Sequence, residues 1–316
     1  MEWNQSEITE FILLGFGNLH HLRISLFLVF LVIYILTMAA NVLIILLIVS
    51  DQHLHTPMYF FLVNLSCLEM FCSSTTLPKM LTCLLTGNKT ISVQGCFTQV
   101  YFLPFFISTE CYLLSVMSYD RFLAICKPLH YATLMNSKFC IQLAGCSWIN
   151  GILFTSLYLF LILQLHFCGV SEIDHFFCES LSLLKISCSD ISFVKYASIV
   201  LSFGFTFPPF LLILISYMYI IAAILKIPSA IGRQKAFSTC SSHVTVVSVF
   251  YGALIIVYLT PKTKAIRELN KYFSLMYTVL SPLINPFVYS LRNKDVKKAL
   301  RKFQEDFRRK TAKLEI

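Results

Sequence analysis

The chain has 316 residues, of which 57% are hydrophobic and 13% charged, with a formal net charge of +9. Soluble domains carry about 45–50% apolar and about 25% charged residues, so this composition excludes an ordinary soluble globule, a disordered chain and a fibrous repeat. It points to a membrane protein, and the charge is not a nucleic-acid signature: ten of the 25 Lys/Arg lie between Arg292 and Lys313, beside a long apolar stretch, where basic residues meet lipid headgroups.

In chain order, the first segment holds a glycosylation sequon, Asn4-Gln5-Ser6. Its first ten residues lack the basic and apolar regions of a cleavable signal peptide, so the first span is expected to act as the insertion signal. Span 1 runs uncharged from Ile24 to Ser50. Span 2, between Asp51 and Lys79, carries a single charge, Glu69. A second sequon, Asn88-Lys89-Thr90, follows it; Asn64-Leu65-Ser66 also matches but lies inside span 2. Span 3, between Lys89 and Asp120, carries only Glu110. Span 4 lies between Lys138 and Glu172, and the longest loop runs from about His166 to Lys195. Spans 5, 6 and 7 are the uncharged gaps Lys195–Lys226, Lys235–Lys262 and Lys271–Arg292, the last being the shortest. Each gap meets the roughly 20 apolar residues that a membrane crossing needs. After span 7, Val296, Leu300, Phe303 and Phe307 form an apolar stripe at helical spacing among basic residues, the pattern of an amphipathic helix on the inner leaflet.

The expected fold is therefore an all-α membrane protein: a seven-transmembrane helix bundle with a short amphipathic C-terminal helix. Residues 1–23 form an extracellular segment, 24–291 the bundle, and 292–316 the cytoplasmic helix and tail. With the C-terminus inside, cytoplasmic segments hold 16 Lys/Arg and the outside nine, as the positive-inside rule requires, and Asn4 and Asn88 both fall outside. The expected location is the plasma membrane.

Several residues admit two readings. Arg121, after Asp120 at the inner end of span 3, either snorkels to the interface or acts as a switch. Glu69 and Glu110 either bind a cation, share a proton, or are both protonated and hydrogen-bonded within the bundle. Cys96, Cys168, Cys178 and Cys188 face an oxidising exterior and allow three pairings. In span 3, Leu103, Ile107 and Cys111 share a face with Pro104 and Ser108 beside them. Tyr251, Leu254, Ile255 and Tyr258 form a face in span 6, and Leu201, Ser202 and Phe205 in span 5 can join them. These faces either pack helices or line a pocket. The outer half of span 3 has no acidic residue, so a partner for an amine ligand is missing there. A transporter or channel would need a polar pathway, and only Glu69 and Glu110 offer one. A retinal protein would need a mid-span lysine in span 7, which has none. No nucleophile-base pair, metalloprotease motif or P-loop points to an enzyme.

Four stretches carry more. Span 3 ends in Met117-Ser118-Tyr119-Asp120-Arg121-Phe122-Leu123-Ala124-Ile125-Cys126-Lys127-Pro128-Leu129-His130-Tyr131. The first loop reads Leu54-His55-Thr56-Pro57-Met58-Tyr59-Phe60-Phe61-Leu62. Span 6 opens with Lys235-Ala236-Phe237-Ser238-Thr239-Cys240-Ser241-Ser242-His243. Span 7 closes with Pro282-Leu283-Ile284-Asn285-Pro286-Phe287-Val288-Tyr289-Ser290-Leu291-Arg292-Asn293. Together they resemble the odorant receptors, a branch of the rhodopsin-like G-protein-coupled receptors, over nearly the whole chain. Ser118 and Phe122 stand where that family usually has Ala and Tyr, Glu69 where it has Asp, and Ala40 where it has Gly.

The resemblance implies a receptor for small, mostly apolar odorants that activates a heterotrimeric stimulatory G protein and raises cyclic AMP. It implies disulfides Cys96–Cys178 and Cys168–Cys188. It casts Asp120, Arg121, Tyr217, His243, Asn285, Pro286 and Tyr289 as the coupling switch, and the span 3, 5 and 6 faces as the ligand pocket. It places Glu69 and Glu110 in a polar core that holds sodium in many such receptors; no other cofactor is implied, and the partners are odorant, G protein and membrane lipid.

Overall fold

A computed structural model describes residues 9–15, 17, 20–167, 171–259, 264–292 and 294–314. Asn4, Cys168 and Lys262 lie outside these residues, as does the side chain of Phe307. Helices α1 (Arg23–Ser50), α2 (Pro57–Thr86), α3 (Val93–Cys126), α5 (Ser137–Ile162), α7 (Ser192–Leu225) and α8 (Ala230–Leu259) contain six stretches long and apolar enough to cross a membrane. The short α4 (Pro128–Leu134) and α6 (Ser180–Ile186) lie between them. The seventh crossing is interrupted: α9 (Lys264–Leu275) passes through a π-helical turn, Met276–Leu280, into α10 (Ser281–Arg292). Helix α11 (Lys294–Leu314) follows. The all-α seven-crossing bundle is thus the architecture of this chain.

Beyond the π-helical turn, α10 carries a helix-interior proline. Pro286 lacks an N–H, so the carbonyl of Pro282 loses its helical partner. Asn41 in α1 supplies the replacement, donating to Pro282 O at 3.2 Å and to Thr37 O at 2.9 Å. The sequence thus breaks one helix hydrogen bond and mends it from another helix, as buried backbone in lipid requires.

Helix α3 is the axis of the bundle. Two-thirds of its apolar window is buried (67%), against 28% of that in α1, and it packs on α2, α5, α7 and α8. The side chains left exposed on α1 and α7, such as Leu28, Val32, Phe203 and Leu211, form their lipid faces. Gly151 lets α5 approach α3: a Cβ there would meet the Thr109 hydroxyl and stand 3.0 Å from the Phe105 carbonyl oxygen. Small residues serve this purpose between membrane helices. Gly151→Leu is accordingly expected to remove most folded protein from the membrane. Gly145→Leu, where a Cβ meets nothing within 4 Å, should leave it unchanged. Detergent-resistant monomer on gel filtration is the measurement; equal yields would refute the close approach.

One end of the bundle carries a small sheet that an all-helical reading does not anticipate. Strand β1 (Glu10–Leu13) lies between β2 (Thr90–Ser92), antiparallel with Phe11 opposite Ile91, and β3 (Glu172–Ile173), parallel with Ile12 opposite Glu172. Phe11 and Leu13 point into a second core with Ile91, Ile173 and Phe154. We call this the capped end. At the opposite end Ala299 and Val296 of α11 are buried, Tyr59 donates to Asp295 Oδ2 at 3.5 Å, and Lys302 pairs with Asp51 at 3.7 Å.

Candidate functional site

Three polar groups lie along the axis. The first sits at the end opposite the sheet. Asp120 Oδ1 accepts the Tyr131 hydroxyl at 2.8 Å. Burial and the neighbouring Asp120 carboxyl raise the Tyr131 pKa, which keeps it a donor. Arg121 lies among Tyr217, Cys240, His243 and Tyr289, with its Nε buried and unbonded. His243 is fully buried and bridges three helices: its Nδ1 pairs with the Tyr217 hydroxyl of α7 at 2.7 Å, and its Nε2 with the Leu114 carbonyl of α3 at 3.1 Å. A carbonyl only accepts, so Nε2 carries the proton and Nδ1 accepts from Tyr217. Helix α8 is thereby latched to α3 and α7. Ser242 adds a bond to Val288 O at 3.3 Å.

The second group is central. Glu69 of α2, Glu110 of α3 and Asn285 of α10 converge, with Asn285 Nδ2 donating to Glu69 Oε1 and, at 3.5 Å, to Glu110 Oε1. The second carboxyl oxygen of each acid is buried without a partner, as are the hydroxyls of Ser66, Ser73 and Ser281. Ser66 and Ser73 lie within one helical turn of Glu69, and Ser281 one turn before Asn285, so they share those faces. The remaining oxygens suit a hard cation, and the two acids lie close enough to share a proton.

The third group lies in the half nearer the sheet. Cys96 and Cys178 are joined, with Cα atoms 5.3 Å apart. Gln99 fixes the linked loop, accepting the Cys178 N–H at 3.0 Å while donating to Thr75 O at 3.0 Å. Cys188 is also disulfide-bonded. Of the expected pocket residues, Leu103, Ile107, Ser108, Cys111, Tyr251 and Leu254 are buried, with the Ser108 hydroxyl unpartnered and the Tyr251 hydroxyl beside the Cys111 thiol. Pro104, Leu201, Ser202 and Phe205 are half-buried. Ile255 and Tyr258 leave 44% and 46% of their surface exposed, yet the Tyr258 hydroxyl reaches that of Tyr277.

The loop above contributes groups that residue patterns did not single out. Lys271 pairs with Asp174, His175 Nε2 meets the Ser274 hydroxyl at 3.2 Å, and Ser182 donates to Glu179 at 3.0 Å. Asn41, Tyr131, Gln99 and the Trp148–Asn64 bond at 3.2 Å were likewise missed, because each partner is distant in sequence. The Asn64 sequon is thus half-buried inside α2 and bonded to Trp148, whereas Asn88 is exposed in the turn before β2.

His175 yields a pH prediction. Burial is the main force lowering its pKa below the usual 6.5; Lys271 and Lys185 lower it further, while Glu179 and Asp174 oppose them. The unfolded chain therefore takes up a proton near pH 6.5 that the folded chain resists. Stability is full above that value and is lost as pH falls below it. His175→Gln should flatten the decline in melting temperature between about pH 7.5 and 5.5; an unchanged decline would assign it elsewhere.

Residues 30–306 match the family model described as olfactory receptor. Among the relatives, olfactory receptor 10A7 of Homo sapiens is 48% identical over 95% of both chains. Olfactory receptor 10A3 of Homo sapiens is 47% identical, covering 94% of this chain and 95% of that one. Olfactory receptor 1M1 of Mus musculus is 46% identical, covering 95% and 96%. The chain belongs to the olfactory receptor family. It is a multi-pass membrane receptor for odorants with a G protein as its signalling partner, and it is not an enzyme.

Proposed function

We propose that this olfactory receptor binds small, neutral or weakly polar odorants in the capped half of the bundle and, on binding, opens the opposite end to a stimulatory G protein, raising cyclic AMP. The observation that carries this reading is the His243 latch, with Arg121 half-buried beside it. Such a contact defines a closed state that an odorant can disfavour only by its differential affinity for the open one. In the open state Arg121 is released, and Tyr217 and Tyr289 refill its surroundings.

The ligand is held by the faces of Leu103, Ile107, Ser108, Cys111, Leu201, Phe205, Tyr251, Leu254 and Tyr258, mostly by shape, with one or two hydrogen bonds from Ser108, Ser202 or Tyr258. Two carboxylates this close cannot both stay charged without help. Glu69 and Glu110 therefore hold a cation such as sodium or share one proton, and Asn285 transmits that state to α10. The capped end faces outward, where Asn4 and Asn88 are glycosylated and Cys168 pairs with Cys188. The segments 1–23, 24–291 and 292–316 are the outer arm, the bundle and the lipid-bound tail. The test is an odorant panel scored by cyclic AMP in cells expressing the chain. Responses confined to small apolar volatiles support the reading; a panel-wide absence of response from surface-expressed receptor contradicts it.

A further inference from the structure

We infer that the cleft between the N-terminal arm, the start of α1 and the end of α2 is a binding site for a fatty-acid anion, with one alkyl chain in the cleft and its carboxylate on Arg23 and Lys89. The odorant pocket and the coupling end lie elsewhere, so this site does not depend on the function proposed above.

The arm builds the cleft. Beyond β1, Leu14 N–H bonds to Ile173 O at 2.9 Å and Gly15 N–H to His175 O at 3.1 Å. Gly17 N–H then turns back to Leu14 O at 3.0 Å. Gly15 and Gly17 have φ of 55° and 67°, which side-chain-bearing residues rarely adopt, so the turn over the helix ends is encoded by glycine. Beneath it lies a cavity of about 70 Å³ with a largely apolar wall that includes Leu26, Met80, Leu84 and Phe176.

The mouth is cationic. Arg23 opens α1, and its guanidinium lies over Gly87, at the end of α2, whose missing side chain leaves the room. Lys89 Nζ is fixed at the same mouth by donating to Gly17 O at 3.1 Å. Both line the cavity, and among the described lining residues there is no carboxylate. Two cations at one apolar mouth call for an anion, and a guanidinium fork matches a carboxylate in two parallel hydrogen bonds. The location selects an amphiphile: the chain is apolar from Ile24 onward, so Arg23 marks the membrane boundary and the cleft lies at that boundary. A cavity of about 70 Å³ takes the methylenes next to the carboxylate of one alkyl chain.

The test uses the full-length receptor in phosphatidylcholine nanodiscs, titrated with dodecanoate, dodecanol and dodecyl phosphate. Dodecanoate is expected to bind and raise the melting temperature, with dodecanol at least tenfold weaker and dodecyl phosphate weaker than dodecanoate. Arg23→Gln and Lys89→Gln should each weaken dodecanoate about tenfold or more and leave dodecanol unchanged, as loss of one charge-assisted contact requires. Leu84→Trp, which fills the cleft, should abolish binding; should it fail to fold, the two Gln variants carry the test. Equal binding of dodecanoate and dodecanol, or dodecanoate binding untouched by both Gln variants, overturns the site. Tighter binding of dodecyl phosphate overturns the carboxylate assignment.

Discussion

Cys96→Ser or Cys178→Ser is expected to remove nearly all receptor from the cell surface. The two sulfurs are buried, at 0% and 1% exposure, and their bond closes a sequence separation of 82 residues. Loss of a native disulfide costs about 2–5 kcal/mol, and a serine hydroxyl left unpaired in the same place adds about 1–3. Together these costs equal the whole net stability of a domain at the lower end of the usual range of about 5–15 kcal/mol. The consequence is also local: Cys178 places the loop whose N–H bonds to Gln99, and Gln99 in turn ties α3 to α2. Surface immunostaining relative to total protein is the measurement. Cys146→Ser is the control, because Cys146 is free and exposed on α5. Normal surface levels of either disulfide variant would show the capped end to be held by its sheet alone.

His243→Leu is expected to raise basal cyclic AMP. Leucine keeps the buried apolar volume and removes both hydrogen bonds, to Tyr217 and to Leu114 O. At about 1 kcal/mol each, the closed state loses about 2 kcal/mol, which is about 30-fold in the closed-to-open ratio. A receptor that is rarely open without odorant would then signal constitutively. Basal activity at or below the parent level, at matched surface expression, would mean that the latch does not restrain α8.

The crossings were legible because charge is costly in lipid, and the gaps between charges count the helices. Glu69 and Glu110 were legible for the same reason, whereas Asn285, which the resemblance assigned to the coupling switch, joins them only through the fold. The motif at Asp120-Arg121 pointed to the coupling end. What the sequence did not disclose depends on backbone acceptors. Leu114 bears no polar side chain, yet its carbonyl receives His243; Pro282 likewise receives Asn41. Strand β1 was hidden because four residues in a sheet gain their stability from β2 and β3, which are distant in sequence. The hydroxyl on Asp120 Oδ1 was hidden too, because its donor, Tyr131, comes from the short helix after span 3.

The central claim is that odorant binding acts through Arg121. Its most direct test is the cyclic-AMP response of an Arg121→Ala variant, at parental surface levels, to an odorant that activates the parent. The account predicts that the odorant still binds and that the maximal response is lost. A response of undiminished efficacy would contradict it.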